Sequence, residues 1–213
     1  MPISDKYQCI FVHVPKTGGT SIESALDLYF RWESENPEAL YGLIQSEELL
    51  KYGFLSGFLQ HLTLPQIRRL KSDSRYDAYY SFSFVRNPWD RMVSVFSKPD
   101  PHMVQQATRS GINLRGNSFG QFLDKTREFE HIHLQAQSGF IFDGDELLVD
   151  FVGRFEQLEA DFRKVCERIG IQKCLAHKNV SKHDHYRAYY NDKTKKIVAN
   201  RYERDIDLFH YNF

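Results

Sequence analysis

HVPKTGGTS, residues 13–21, is the stretch that decides the fold. Ahead of it, Gln8 to Val14 (QCIFVHV) is a nearly continuous apolar and β-branched run, the mark of a strand buried on both faces. Pro15 stops that run, having no N–H to give a ladder. From Thr20 the period changes: Ile22, Leu26 and Tyr29, with Ala25 and Phe30, share one helical face. Thr20 followed three residues later by Glu23 predicts a capping box at the start of this helix. The unit is strand, glycine turn, helix. Gly18 and Gly19 let the backbone approach a ligand and turn its N–H groups inward, beside the positive end of the helix. Lys16 adds a full charge, and Thr17, Thr20 and Ser21 add hydroxyl donors. These are the parts of a phosphate site. An ATP-binding loop, however, reads GxxxxGK[ST], with its lysine after the glycines. Here the lysine comes first, and no acidic strand end offers itself to magnesium.

Two further strand–helix units follow. In YYSFSFVRNPWDRMVSVF, residues 79–96, Tyr80 to Val85 is strand-like, Asn87 is an N-cap candidate and Pro88 fits the first helical turn. In LLVDFVGRFEQLEADFRKVCERIG, a strand near Leu147 to Val152 precedes a helix through Leu158, Phe162, Val165 and Ile169, stopped by Gly170. An amphipathic helix from about Asp192 to Phe209 turns Ile197, Val198, Tyr202, Ile206 and Phe209 inward. Strands alternating with helices predict an α/β domain with a parallel sheet. Residues 97–118 read as a long mobile connection.

Composition narrows the rest. A chain of 213 residues is one domain of ordinary size. Its 28 basic and 28 acidic residues cancel, so no global field recruits nucleic acid or an anionic membrane, and any anion site is local. Three cysteines, Cys9, Cys166 and Cys174, match no metal or redox spacing and predict reduced thiols. No secretory pattern opens the sequence and no apolar run approaches membrane-spanning length, so a cytoplasmic protein is expected.

PKTGGTS resembles the 5′-phosphosulfate loop of sulfotransferases that use 3′-phosphoadenosine 5′-phosphosulfate (PAPS), in the carbohydrate sulfotransferase branch, family 2. FVRNPWDRMVS strengthens the likeness. In that family an arginine at a strand end and a serine eight residues on hold the 3′-phosphate, and Arg86 and Ser94 stand at this spacing. With Asn87 capping, positions 87, 90, 91 and 94 fall near one helical face, so a forked charged donor and a hydroxyl can share a phosphate. Arg91 beside Asp90 reads as a structural ion pair. GRFEQLEADF, NVSKHDHYRAYY and the final helix keep the order of soluble bacterial members. The second of these closes over the nucleotide in the family, which nominates Ser181 and Lys182.

The resemblance implies a single P-loop-like sulfotransferase domain over residues 1–213, three layers with a central parallel sheet flanked by helices. It also implies PAPS as co-substrate, adenosine 3′,5′-bisphosphate (PAP) as product, and a hydroxyl-bearing acceptor: a sugar, a lipid headgroup or a metabolite. Sulfuryl transfer needs a base for the acceptor proton. His61, in FLQHLTLPQI, sits between the two phosphate units and ahead of a helix start, with Thr63 and Gln66 as a capping box. In the relatives a histidine in a similar setting is the base, and an imidazole with its ordinary pKa near ~6.5 suits that task. His13, within the first strand, reads as buried and hydrogen-bonded. His131 and His133 form an H-x-H pair without a third ligand at zinc spacing, so no metal is expected. HLQAQ is similar to a stretch near the acceptor cleft, which nominates His133 and Gln137. Two other readings stay open: a nucleotide-dependent phosphotransferase, and a nucleotide-binding module without catalysis.

Overall fold

The computed structural model describes residues 3–28, 59–70, 74–176 and 184–213. Its strands are β1 (Ile3–Ser4), β2 (Cys9–Val12), β3 (Tyr80–Val85), β4 (Phe142–Asp143), β5 (Glu146–Leu147) and β6 (Phe151–Arg154). Its helices are α1 (Gly19–Ala25), α2 (Leu64–Leu70), α3 (Pro88–Ser97), α4 (Pro101–Arg109), α5 (Phe119–Lys125), α6 (Ser138–Ile141), α7 (Leu158–Arg168), α8 (Asp192–Arg201) and α9 (Glu203–Phe209). By internal contacts the chain forms two compact units, Met1–Val85 with Gln137–Asn179 and Arg86–Ala136 with Val180–Phe213.

The first unit is the α/β body, a central, mostly parallel sheet flanked by helices. Strand order is β1-β2-β3-β6, with β1 antiparallel to β2 and the other three parallel. A continuous apolar run explains why β2 is buried throughout. Strand β3 (YSFSFV) is nearly as buried because its two serines satisfy their hydroxyls on Asp150 and on the Val12 carbonyl. From one sheet face Cys9, Phe11, Phe82 and Phe84 pack with Ile22 and Leu26 after the first turn of α1 and with Phe162 and Val165 of α7. At the start of the β3–β6 ladder, the Ser81 N–H and hydroxyl both donate to Asp150 Oδ2 at 2.7 Å.

Three boundaries differ from the sequence reading. Strand β2 covers Cys9–Val12 rather than Gln8–Val14, because Gln8 is left-handed at φ 48 and Val14 N–H turns back to Val12 O at 3.1 Å. Leu147 belongs to a hairpin in which Asp143 pairs with Glu146 across Gly144, so the third parallel strand starts only at Phe151. Helix α1 ends at Ala25, where Leu26 caps it and Asp27 turns left-handed at φ 57. Helix α7 ends as read: Gly170 at φ 72 follows the cap, and Ile171 N–H returns to Cys166 O at 2.9 Å.

The second unit is helical. Asn87 accepts from the N–H groups of Trp89 and Asp90 and opens α3, with Pro88 in the first turn. Phe96 meets the rings of Phe119, Phe122 and Tyr189, and Phe213 meets those of Trp89, Tyr186 and Tyr190. The stretch read as a connection contains α4, opened by Asp100 capping His102 and Met103 and seated by buried Met103 and Ala107. The single final helix is divided into α8 and α9 at Tyr202, whose backbone leaves the helical region at φ −121, ψ 28. Tyr202 is buried, its hydroxyl donates to Leu134 O at 2.9 Å and its ring lies under Arg91. Among the described residues no helix is long and apolar enough to cross a membrane.

Candidate active site

The loop after β2 is shaped by its backbone. Lys16 adopts φ 70 and Gly18 φ 85. A left-handed lysine costs on the order of 1–3 kcal/mol, and such strain gathers at functional loops. Thr17 is buried and its hydroxyl donates to Val14 O at 2.8 Å, which pins the turn. Gly18 is the N-cap of α1 and no side chain caps that helix. The predicted Thr20–Glu23 box is therefore not formed, because Glu23 is engaged elsewhere: its Oε1 lies 2.7 Å from His13 Nδ1, both side chains buried. Gly19 is required by close approach, since a Cβ there would run into the His13 imidazole, whereas Gly18 is required by its positive φ, the end of the Leu158 side chain being its nearest neighbour.

His61 belongs to the same unit and reaches the loop. It closes a short 3₁₀ turn, Leu59–His61, buried throughout. Thr63 and Gln66 exchange the predicted box at the start of α2, the Thr63 N–H donating to Gln66 Oε1 at 2.8 Å and the Gln66 N–H to Thr63 Oγ at 3.4 Å. His61 Nδ1 donates to the His13 carbonyl at 3.0 Å. A carbonyl only accepts, so the proton sits on Nδ1, and in the neutral ring Nε2 is the basic nitrogen.

Arg86 and Ser94 lie in the second unit. Arg86 directly follows the last residue of β3, and Ser94 lies on α3, both side chains buried. Arg86 Nε donates to Asp90 Oδ2 at 2.9 Å, one helical turn on. Asp90 thus serves Arg86 rather than Arg91. Arg91 is structural by other means: it donates to the carbonyls of His133 and Gln135 and stands 3.9 Å from buried Asp205. Burial pushes its guanidinium below the usual value, with Tyr202 and Asp205 working in the opposite direction. Sequence reasoning missed Glu23 and Asp90 as partners. The four-residue spacing of Arg86 and Asp90 was a usable signal; nothing in the sequence announced that Glu23 turns to His13.

The remaining candidates scatter. His133 is buried in the second unit and Gln137 is fully buried in the first, at the start of α6. His131 caps the turn at His133 by accepting from its N–H at 3.2 Å, and burial lowers its pKa to about 4. Ser181 and Lys182 lie outside the described residues. Among the described residues no three histidine, cysteine or acidic side chains gather as a metal site.

One constraint follows from the sheet alone. Strands β2 and β3 are parallel and in register, Val12 opposite Ser83, so both strands end at the same edge of the sheet. In open α/β sheets that carboxyl edge is where ligands bind.

Known proteins bear on this arrangement. Human carbohydrate sulfotransferase 10 is 21% identical over 243 residues, covering 98% of this chain and 66% of the human protein. The Xenopus laevis carbohydrate sulfotransferase 10 is 22% identical over 247 residues, with 98% and 66% covered. An uncharacterized protein of Archaeoglobus fulgidus is 28% identical over 128 residues, 57% of this chain and 93% of its own length. The chain thus spans about two thirds of the length of its vertebrate relatives. No solved structure matches. The sequence pattern of the sulfotransferase family matches residues 1–212, nearly end to end. The chain belongs to the sulfotransferase family, in its family 2 branch.

Proposed function

We propose that this sulfotransferase moves the sulfuryl group of PAPS to a hydroxyl, or an amine, of a carbohydrate or small-molecule acceptor. The observation that carries the reading is His61 hydrogen-bonded through Nδ1 to the carbonyl of His13, the residue that leads into PKTGGTS. A base in the right tautomer is thereby tied to a loop with a lysine and two glycines. In the reaction the acceptor oxygen attacks sulfur in line while the bond from sulfur to the bridging phosphate oxygen breaks. His61 Nε2 takes the acceptor proton, Lys16 stabilises the negative charge growing on the leaving oxygen, and PAP departs. Gly18, Gly19, Thr20 and Ser21 complete the cradle for the 5′ end, and Arg86 and Ser94 hold the 3′-phosphate. Thr17 joins the cradle through its backbone, because its hydroxyl is spent on Val14 O and not on a ligand as the sequence suggested. Ser181 and Lys182 are assigned to the nucleotide, and His133 and Gln137 to the acceptor, on the family resemblance alone. No metal is asked for, since Lys16 and the loop carry the charge. The names of the vertebrate relatives support a carbohydrate acceptor. We keep residues 1–213 as one sulfotransferase domain, supported by the family match, and a cytoplasmic setting, supported by three free thiols.

Calorimetry of PAP against AMP tests the donor. AMP lacks only the 3′-phosphate. Charged hydrogen bonds from Arg86 contribute roughly 1.5–3 kcal/mol and the Ser94 bond about 1 kcal/mol. PAP is expected to bind roughly 70-fold to 1,000-fold tighter, since each 1.4 kcal/mol is tenfold. Arg86→Ala should remove most of that preference and leave AMP unchanged. Equal affinities of the unaltered protein for both nucleotides would sink the PAPS reading.

A further inference from the structure

His13 touches every part of the first half-site. Its carbonyl accepts from His61, its Nδ1 meets Glu23, and its ring fills the space left by the missing side chain of Gly19. The ring is fixed from two more sides, stacked on Phe11 with centroids 5.4 Å apart and met edge-on by the His61 ring at 4.6 Å. Glu23 and His13 are 3% and 7% exposed, and the mechanism above uses the His13 carbonyl but gives neither side chain a task. Desolvating a carboxylate opposite an imidazole is unfavourable unless geometry repays it, and apolar residues would fill the same volume at less cost. Such a pair calls for a role other than stability.

Hydrogen-bond chemistry supplies one. An ionised carboxylate only accepts, so His13 carries its proton on Nδ1, as His61 does toward the His13 carbonyl. Glu23 on α1, His13 just past the end of β2 and His61 are linked in turn, the Glu23 carboxylate to the His13 ring and the His13 backbone carbonyl to the His61 ring. We propose that Glu23 and His13 are positioning residues for His61. Glu23 locks the His13 ring against Gly19, the locked residue holds its own carbonyl toward His61 Nδ1, and His61 stays with its proton on Nδ1 and Nε2 ready to accept. Neutral histidine in water favours the opposite tautomer, so an enzyme that needs Nε2 as its base gains from such a lock. When His61 takes the acceptor proton at Nε2, its Nδ1–H keeps the same carbonyl partner and the imidazolium is stabilised where it forms. This inference rests on His61 being the base.

The test uses nitrogen-15 NMR of histidine-labelled protein, whose imidazole shifts report which nitrogen bears the proton. Turnover and PAP affinity are measured on the same samples. Glu23→Gln keeps length and an acceptor oxygen; Glu23→Met keeps length and removes the acceptor. Wild type and Glu23→Gln should show His61 protonated on Nδ1, with kcat of the glutamine variant within about threefold. Glu23→Met should release His61 to a mixture of tautomers and lower kcat roughly tenfold or more, with PAP affinity changed less than about threefold. His61 protonated on Nε2 in the wild type would overturn the proposal. So would Glu23→Met with unchanged tautomer and turnover, or a glutamine variant as impaired as the methionine one. The wild-type spectrum and the glutamine variant decide even where Glu23→Met loses its melting transition. Normal turnover of His61→Ala beside an intact tautomer response would sink the base assignment, whereas a working base with no tautomer response would sink the positioning pair.

Discussion

The loop at residues 13–21 and the segment at residues 86–94 are both assigned to phosphate, yet they are built by opposite means. The loop is fixed by backbone: a left-handed Lys16 and Gly18, and a Gly19 pressed against His13. The segment is fixed by side chains: Asn87 capping α3 and Arg86 tied to Asp90 at 2.9 Å. A backbone cradle is preorganised, so its binding energy is not spent on rearrangement, but it tolerates no added atoms. A side-chain site whose arginine already gives its Nε to a carboxylate loses part of its gain on phosphate to that carboxylate. One half-site is therefore rigid and exacting, the other exchangeable and adjustable.

That contrast can be broken or sharpened in four ways. The largest effect belongs to the loop side: His61→Ala is expected to lower kcat on the order of 100-fold while PAP affinity stays nearly intact, because a base acts in the transition state and not in nucleotide binding. Steady-state rates matching wild type would move the base to another histidine. Lys16→Ala comes next, lowering kcat roughly tenfold or more with a smaller loss of PAPS affinity, since its charge matters most as the leaving oxygen becomes anionic. Rates within about twofold of wild type at saturating PAPS would contradict its role. Gly19→Ala sets a methyl against the His13 imidazole and should destabilise by about 1–3 kcal/mol in a denaturant melt; an unchanged midpoint would show the loop to be less exacting than its contacts imply. The smallest effect belongs to the adjustable side. Asp90→Asn releases Arg86 from a full charge and should tighten PAP roughly threefold, against a helix-terminus loss of about 0.3–1 kcal/mol. Weaker PAP binding in that variant would mean that Asp90 orients Arg86 rather than competing for it.

The same division explains what the sequence disclosed. Strand β3, the Asn87 cap, the Thr63–Gln66 box and the glycine stop after α7 were legible because each is settled by residues within a few positions of it. The Thr20–Glu23 box was misread because a residue ten positions away takes the glutamate. Helix α4 carried a readable start in Asp100 and Pro101, but only Met103 and Ala107 are buried along it, too few to show a periodic face. The break at Tyr202 is tertiary: its ring under Arg91 and its hydroxyl on Leu134 hold a conformation that local propensity does not demand. In the candidate site, the motif named the loop, Arg86, Ser94 and His61. The partner Glu23 emerged only from packing, whereas Asp90 stood one helical turn from Arg86, a signal the sequence already carried.

The ladder of β2, β3 and β6 has a temporal consequence. The hydroxyl of Ser83 reaches Val12 across 71 residues, and Ser81 reaches Asp150 across 69. Parallel neighbours so distant in sequence close slowly, because each pairing waits for a long intervening stretch to be made and gathered in. During synthesis β3 leaves the ribosome with one edge bare until Phe151–Arg154 has followed, and bare apolar edges invite pairing with other chains. Chains arrested after residue 136 should therefore aggregate, and chains arrested beyond residue 176 should resist proteolysis, when nascent complexes are stalled at both lengths and compared. Shape and catalytic competence would then arrive late and together, with the return of the chain through β6.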